Sequence, residues 1–303
     1  MRLAISMGDP LGIGPEVVAV ALAGLPTGVE PVVFGDRDTL ARAASLRSVP
    51  FDARVVQVGS LSQKPSAREA GAAALAYVDG AARACIAGET EALCTAPLSK
   101  ERVALEAPRF VGHTEHLAAL TGARVAMMLA GPRLRVVLAT NHLALADVPR
   151  RLSAEQIAFV ATLAARELRE RWGVAAPRVA VCGLNPHAGD GGIFGDEEAR
   201  IVAPGVQLAR SAGIDVEGPL PADGLFPRAA KGAYDAVVAL YHDQGLIPAK
   251  LLDFDATVNV TLGLPFPRTS PDHGTADSIA WKGEANPQPM ISALLLAVQL
   301  ASG

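Results

Sequence analysis

Short apolar runs alternate with stretches of helical period from one end of the chain to the other. The runs rich in Val, Ile, Leu and Ala predict strands at Leu3–Met7, Pro31–Phe34, Ala53–Val58, Ala92–Thr95, Val125–Leu129, Leu134–Ala139, Val179–Gly183, Ala236–Leu240 and Thr257–Thr261. Helical spacing predicts Pro15–Leu25, Asp38–Ser45, Ala67–Ala87, Glu115–Leu120, Ser153–Trp172, Asp196–Ser211 and Gln288–Ala301. Ser153 begins the sequence S-A-E-Q, a capping box, and Gly173 follows as a C-terminal stop. Such alternation predicts an α/β fold of mostly parallel sheets covered by helices. No internal repeat or low-complexity linker divides the chain. A second domain is therefore expected to be interleaved: residues 1–110 with 275–303 as one α/β/α lobe, residues 111–274 as the other, and the active site in the cleft.

Three of the strand patterns end alike. Arg135–His142, Val179–His187 and Ala236–His242 each run apolar residues into a histidine, and a turn or helix start follows. In open α/β sheets, ligands bind beyond the carboxyl ends of parallel strands. His142, His187 and His242 are thus expected to hold a divalent metal, three imidazoles leaving positions open for substrate and water. A single strand-end histidine is more often structural; the repetition of one design favours a site. Asp243, beside His242, and Asp223 complete the shell or act as base on this reading. Asp196, Glu197 and Glu198 are expected to stabilise a helix N-terminus.

Composition narrows the chemistry. Half of the 303 residues are hydrophobic, enough for one large core or two medium ones. A net charge of −4 gives no electrostatic reason to expect nucleic acid or an anionic membrane as partner. Two Trp and three Tyr are too few for a base-stacking surface. Cys85, Cys94 and Cys182 are odd in number and lack zinc-site spacing, so no disulfide framework is expected and a reducing cytosol fits. The chain opens directly on a strand pattern and no apolar run reaches bilayer length, so a cytoplasmic protein without a membrane span is expected.

The polar-and-glycine motifs each allow two readings. Gly8–Glu16 (GDPLGIGPE) is either a strand-to-helix turn or a ligand loop. It lacks the spacing of a dinucleotide fingerprint, and Glu16 would push an acid toward any phosphate. In Gly112–Glu115, Thr114 serves as an N-cap, or His113 and Thr114 bind an anion at a helix N-terminus. Lys250, Asn259 and Arg268 stand in a stretch otherwise poor in polar groups. Arg268, in the rigid loop Pro265–Ser270, is suited to bidentate phosphate or carboxylate binding, or is a solvated cation. Residues Asp272–Pro287 form a dense polar run before the last helix.

Taken together, GDPLGIGPE, GHTEHLA, ATNHLALADVP, GLNPHAGDGGIFGDEE, GPLPADGLF, YHDQGLIPAK and VNVTLGLPFPRTSPDHGTA resemble the 4-hydroxythreonine-4-phosphate dehydrogenases of vitamin B6 biosynthesis, in order and over nearly the whole chain. DHGTADSIA followed by KGEANP also looks like the cofactor loop of the wider β-decarboxylating dehydrogenases, which include isocitrate and isopropylmalate dehydrogenases. Leu11, His116 and Asp190 depart from the residues usual in the family. The resemblance implies oxidation and decarboxylation of 4-phosphooxy-L-threonine to 3-amino-2-oxopropyl phosphate and CO2, with NAD or NADP and one divalent ion (Zn, Co, Mg or Mn). It implies metal binding by His142, His187 and His242 at the interface of a homodimer, and substrate contacts from His113, Thr114, Lys250, Asn259 and Arg268. His273, Gly274 and Asn286 match the cofactor loop more loosely. Lys250 and Asp223 are candidates for the base, with Lys250 favoured. A paralogous dehydrogenase of threonate or erythronate 4-phosphate, and a three-histidine metallohydrolase without a nucleotide, are the rival expectations.

Overall fold

Leu3, Ala4 and Ile5 are fully buried in β1 (Arg2–Ser6), as a strand covered on both faces requires. The structure is a computed structural model that describes residues 1–302, and the chain divides into two units. The first unit is Met1–Val125 with Leu264–Ser302. It continues from β1 through α1 (Gly14–Ala21), β2 (Glu30–Gly35), α2 (Arg37–Leu46), β3 (Arg54–Gln57), α3 (Ala67–Ile86), β4 (Ala92–Thr95), α4 (Lys100–Ala104) and α5 (His113–Thr121). The second unit, Ala126–Gly263, holds β5 (Ala126–Ala130), β6 (Arg135–Leu138), α6 (Val148–Arg151), α7 (Ala154–Arg171), β7 (Val179–Cys182), α8 (Ala203–Ser211), β8 (Val216–Leu220), α9 (Ala222–Ala229), β9 (Ala236–Ala239), α10 (His242–Asp253) and β10 (Val258–Leu262). The chain then returns to the first unit with β11 (Arg268–Pro271) and α11 (Gln288–Ser302).

Within the first unit the strand order is β3-β2-β1-β4-β11, parallel throughout. Within the second it is β10-β5-β6-β9-β7-β8. There β10, β5 and β6 pair antiparallel, and β6, β9, β7 and β8 pair parallel. Among the described residues no helix is long and apolar enough to cross a membrane.

The unit boundaries fall at 125/126 and 263/264, so residues 111–125 and 264–274 belong to the first unit and not to the second lobe expected for them. Packing explains the shift. Leu117, Leu264 and Phe266 share a buried cluster with Ala74, Val78 and Leu93, and β11 pairs with β4 through Arg268↔Leu93 and Thr269↔Cys94. Arg268 therefore lies on a strand, not in the rigid loop expected at Pro265–Ser270. Helices α9 and α10 are also unexpected from sequence, because each carries an internal proline (Pro227, Pro248) that argues against helix.

Candidate active site

Strands β6, β9 and β7 lie side by side and parallel, in register at Leu138↔Ala239 and Val181↔Val238. His142 follows β6, His242 opens α10 directly after β9, and His187 follows β7. All three histidines therefore leave the sheet at its carboxyl edge, where ligands of parallel sheets bind. The rings of His142 and His242 meet, with centroids 5.5 Å apart and planes tilted by 41°. Both line a cavity of about 450 Å³ together with Asn141, Leu143, Tyr241 and Asp243. His242 Nδ1 lies 2.7 Å from Asp243 Oδ1. An ionised carboxylate only accepts, so this contact places a proton on Nδ1 and turns Nε2 away from Asp243.

Gln244 fixes this edge. Its Oε1 accepts from Leu240 N at 2.7 Å, and its Nε2 donates to Gly183 O at 2.8 Å, tying the ends of β9 and β7 together. Gly245 lets α10 start against the sheet: a Cβ there would stand 2.6 Å from Val136 Cγ1.

His187 behaves differently. It is exposed, and its nearest ring is Phe194, 6.2 Å away. Among the described residues no group of three His, Cys, Asp or Glu stands close enough to hold an ion. One chain thus brings two of the three expected ligands together. Two imidazoles in an open cavity fit part of the donor set of a borderline cation such as zinc or cobalt, with its remaining positions filled from outside the pair. The loop around His187 is left-handed for five residues, with φ of 53°, 53°, 83°, 42° and 65° from His187 to Gly191. For the non-glycine members His187, Ala188 and Asp190 this conformation costs roughly 1–2 kcal/mol each. Such strain persists only where surrounding contacts impose it.

Glu198 imposes it. Its buried carboxylate accepts from Leu184 N and Asn185 N, both at 2.7 Å, and from Asn185 Nδ2 at 3.0 Å. Burial raises its pKa, but these hydrogen bonds outweigh that and hold it below the ordinary glutamate value. Glu198 stands in the first turn of the helical segment Glu198–Val202, at a helix N-terminus as expected, and from there also holds the loop. Glu197 accepts from Asn185 Nδ2 at 2.8 Å, and Asp196 pairs with Arg200 at 3.3 Å.

The other expected residues of the second unit are dispersed. Lys250 is half-buried on α10, eight residues beyond His242 and so about 12 Å along the helix axis. Asp223 is exposed in the first turn of α9. Asn259 sits on β10 opposite Leu129, and its buried Oδ1 has no hydrogen-bond partner among the described residues. A buried carbonyl of that kind calls for a donor, which a ligand can supply.

In the first unit, Gly112 and not Thr114 is the N-cap of α5 and offers no side chain to its N–H groups. His113 and Thr114 form the opening turn. Burial, then the charges of Arg268, His116 and Lys100, push the His113 pKa well below its ordinary value, so the ring is neutral at pH 7. Its Nε2 is enclosed and without a partner among the described residues. Arg268 is 1% exposed, and its guanidinium donates to Thr95 Oγ1. Burial lowers its pKa to about 10, which leaves it cationic at neutral pH. His116 and Asp79 join α5 to α3 through a 2.5 Å contact, His116 Nε2 to Asp79 Oδ1, that sequence alone did not suggest.

The glycine-rich turn of the first unit approaches the protein itself. A Cβ on Gly12 would stand 2.8 Å from Thr275 Cβ, and Ile13 N donates to Thr275 O at 3.0 Å. Buried Glu16 accepts from Trp281 N and from Gly283 N at 3.0 Å. Arg102 links Asp9, at 2.9 Å, to Asp277. These contacts anchor the 272–287 segment on the GDPLGIGPE strand-to-helix turn. In that segment His273 Nδ1 lies 3.1 Å from Gly274 O, and its enclosed Nε2 has no partner among the described residues. Asn286 Oδ1 accepts from Gln288 N at 3.0 Å, starting α11.

Comparison with known proteins adds the lineage. The chain is 46% identical to a 4-hydroxythreonine-4-phosphate dehydrogenase of Geobacter metallireducens over 99% of its own length and 95% of the relative's. It is 43% identical to a D-threonate 4-phosphate dehydrogenase of Pectobacterium atrosepticum over 99% of both. The crystal structure of 4-hydroxythreonine-4-phosphate dehydrogenase from Klebsiella pneumoniae is similar to it with a TM-score of 0.89 and 40% identity, covering 99% of each chain. The family model described as pyridoxal phosphate biosynthetic protein PdxA matches residues 27–297, and with those relatives it shows that the chain belongs to that family.

Proposed function

We propose that this protein is a divalent-metal- and NAD(P)-dependent dehydrogenase that oxidises and decarboxylates 4-phosphooxy-L-threonine to 3-amino-2-oxopropyl phosphate and CO2, in the cytoplasm, for pyridoxal 5′-phosphate biosynthesis. The observation that most supports this reading is the His142–His242 pair over one cavity at the carboxyl ends of adjacent parallel strands. The relatives' names supply the reaction class. His142, His187 and His242 would hold the ion, with His187 joining the pair when two copies of the chain associate. An exposed apolar stripe supports a homodimer. Ile247 and Leu251, four residues apart on one face of α10, are 63% and 83% exposed, and Phe254, just past the helix, is 67% exposed.

When bound, the ion supplies Lewis-acid polarisation of the substrate's C3 oxygen, and the nicotinamide supplies the hydride acceptor. The protein's own groups do the rest. Asp243 holds the His242 Nδ1 proton and fixes its tautomer. Lys250 Nζ takes the proton of the C3 hydroxyl as hydride leaves the same carbon; Asp223 and Asp243 are the alternative bases. The bond to the carboxylate then breaks, CO2 departs, and the electron pair left behind takes up a proton. His113, Thr114, Lys250, Asn259 and Arg268 are proposed as substrate contacts, and His273, Gly274 and Asn286 as cofactor contacts. Phosphate affinity would supply orientation and not chemistry.

Purified protein with a divalent metal, NAD and 4-phosphooxy-L-threonine should produce NADH and CO2, and His242→Ala should abolish turnover and lower metal content. Wild-type protein inert toward this substrate sinks the proposal. The relative named for D-threonate 4-phosphate supports a second reading, in which a hydroxyl replaces the amino group. The ratio of kcat/KM for the two substrates decides between them. A metallohydrolase would bind no NAD, so calorimetric NAD binding removes that rival.

A further inference from the structure

The geometry points to Glu198 as the positioning residue for His187, an inference that rests on the proposed metal role of that histidine. His187 stands in a left-handed turn from φ 53° at His187 to φ 65° at Gly191, a backbone course that L-residues adopt only under constraint. Backbone hydrogen bonds close the turn locally, Ala188 N to Asn185 O at 3.1 Å and Phe194 N to Gly189 O at 3.2 Å, and its entry is held from outside by Glu198. Leu184 and Asn185, at its entry, both donate their backbone N–H to one oxygen of Glu198, and the Asn185 side chain donates to the other. The turn itself closes on the same carboxylate. A Cβ on Gly189 would stand 2.8 Å from Glu198 Oε2, and one on Gly183 would stand 2.8 Å from Ala188 Cα. Entry and turn thus wrap one buried anion. Glu198 is 6% exposed, carried by a π-helical turn, Glu198–Val202, that leads into α8. A buried carboxylate satisfied by three N–H groups has one arrangement and transmits it to the loop.

Glu198 touches neither the His142–His242 cavity nor the exposed His187 ring in the contacts that define it. Its effect on a bound ion would run through the direction in which the loop sends His187. Groups that orient a metal ligand typically change metal affinity by about 10–100-fold when removed. The length of the side chain matters here more than its charge. Glutamine keeps an acceptor oxygen at the point where Leu184 and Asn185 donate, whereas aspartate keeps the charge and withdraws it by one methylene.

The test uses the full-length protein and Co2+ alone. Affinity is read by competition with a chelator, geometry by the visible absorption of bound Co2+, and folding by thermal unfolding. Glu198→Ala and Glu198→Asp should each weaken Co2+ binding by about tenfold or more and change its spectrum. Glu198→Gln should recover most of the affinity. The double variant Glu198→Ala with His187→Ala should bind no more weakly than His187→Ala alone. If His187→Ala weakens Co2+ binding while folded Glu198→Asp binds and absorbs like wild type, the positioning role is overturned. If His187→Ala itself leaves affinity unchanged, the ligand assignment falls, and this inference falls with it.

Discussion

His113 is the side chain whose burial has the clearest thermodynamic consequence. Its pKa is pushed well below the ordinary value, chiefly by burial and then by Arg268, His116 and Lys100. The unfolded chain therefore binds a proton near pH 6.5 that the folded chain refuses. Stability is full above about pH 6.5 and declines as pH falls through the gap between the two pKa values. His113→Gln should flatten that decline; denaturant midpoints measured from pH 7.5 to 5 check it, and an unchanged slope refutes it. The thiols give a second expectation. Burial pushes Cys85 up to about 11 and Cys94 up to about 12, and raises Cys182 as well. None should react with a thiol reagent at pH 8 until the protein unfolds, and prompt labelling of the native chain would contradict the burial. His142 and His242 were legible in the sequence because each sits just past its own strand. Glu198 was not: its acceptor atoms serve N–H groups 13 and 14 residues back, across a loop whose hand no composition reveals. The His116–Asp79 contact, spanning 37 residues, was invisible for the same reason.

Elements pack where glycine lets backbones meet, and α3 against α4 is the tightest case. A Cβ on Gly71 would stand 2.1 Å from Arg102 O and 2.7 Å from Val103 N, both backbone atoms that cannot swing aside. Gly71→Ala gains helix propensity but forces the two helices apart, and overpacking of this kind costs about 1–3 kcal/mol. Because Arg102 of α4 also holds Asp9 and Asp277, the same variant should loosen the 272–287 segment. Chemical denaturation together with hydrogen exchange over that segment checks both effects; stability equal to wild type would show that the helices separate freely. The strands legible in the sequence are those with an apolar run, whether buried throughout or partly exposed like β3. Val179–Cys182 and Ala236–Ala239 are buried throughout and were read almost to the residue. β11 was missed because R-T-S-P carries polar side chains whose partners lie far along the chain, among them Thr95 and Ala293. α10 was missed because Gly245 and Pro248 argue locally for a turn, while packing against β6 and β9 decides for helix.

At the scale of the whole molecule, one chain leaves its proposed metal site short of ligands. The alternation of strand and helix showed the fold class and an interleaved chain, but a boundary depends on which core a segment enters, and that is a long-range fact. The same holds for association. α10 begins at His242, a proposed ligand, and its far end exposes Leu251 at 83% beside Ile247 and Phe254. In the same unit Leu145 and Ile193 are 67% and 74% exposed, near His142 and His187 in sequence. Apolar surface beside each proposed ligand is what an isologous contact between two copies needs, since every residue on one side is repeated on the other. Leu251→Asp should therefore turn a dimer into a monomer in sedimentation experiments. Its thermal unfolding should stay close to wild type at low concentration, because Leu251 is exposed in the single chain and supports no core. Turnover and Co2+ affinity should both fall by at least tenfold if the ion needs ligands from two copies. A Leu251→Asp monomer that retains both would mean that His142 and His242 suffice within one chain and that the dimer is dispensable. Wild-type protein that sediments as a monomer while turning over substrate would remove the second copy from the site altogether.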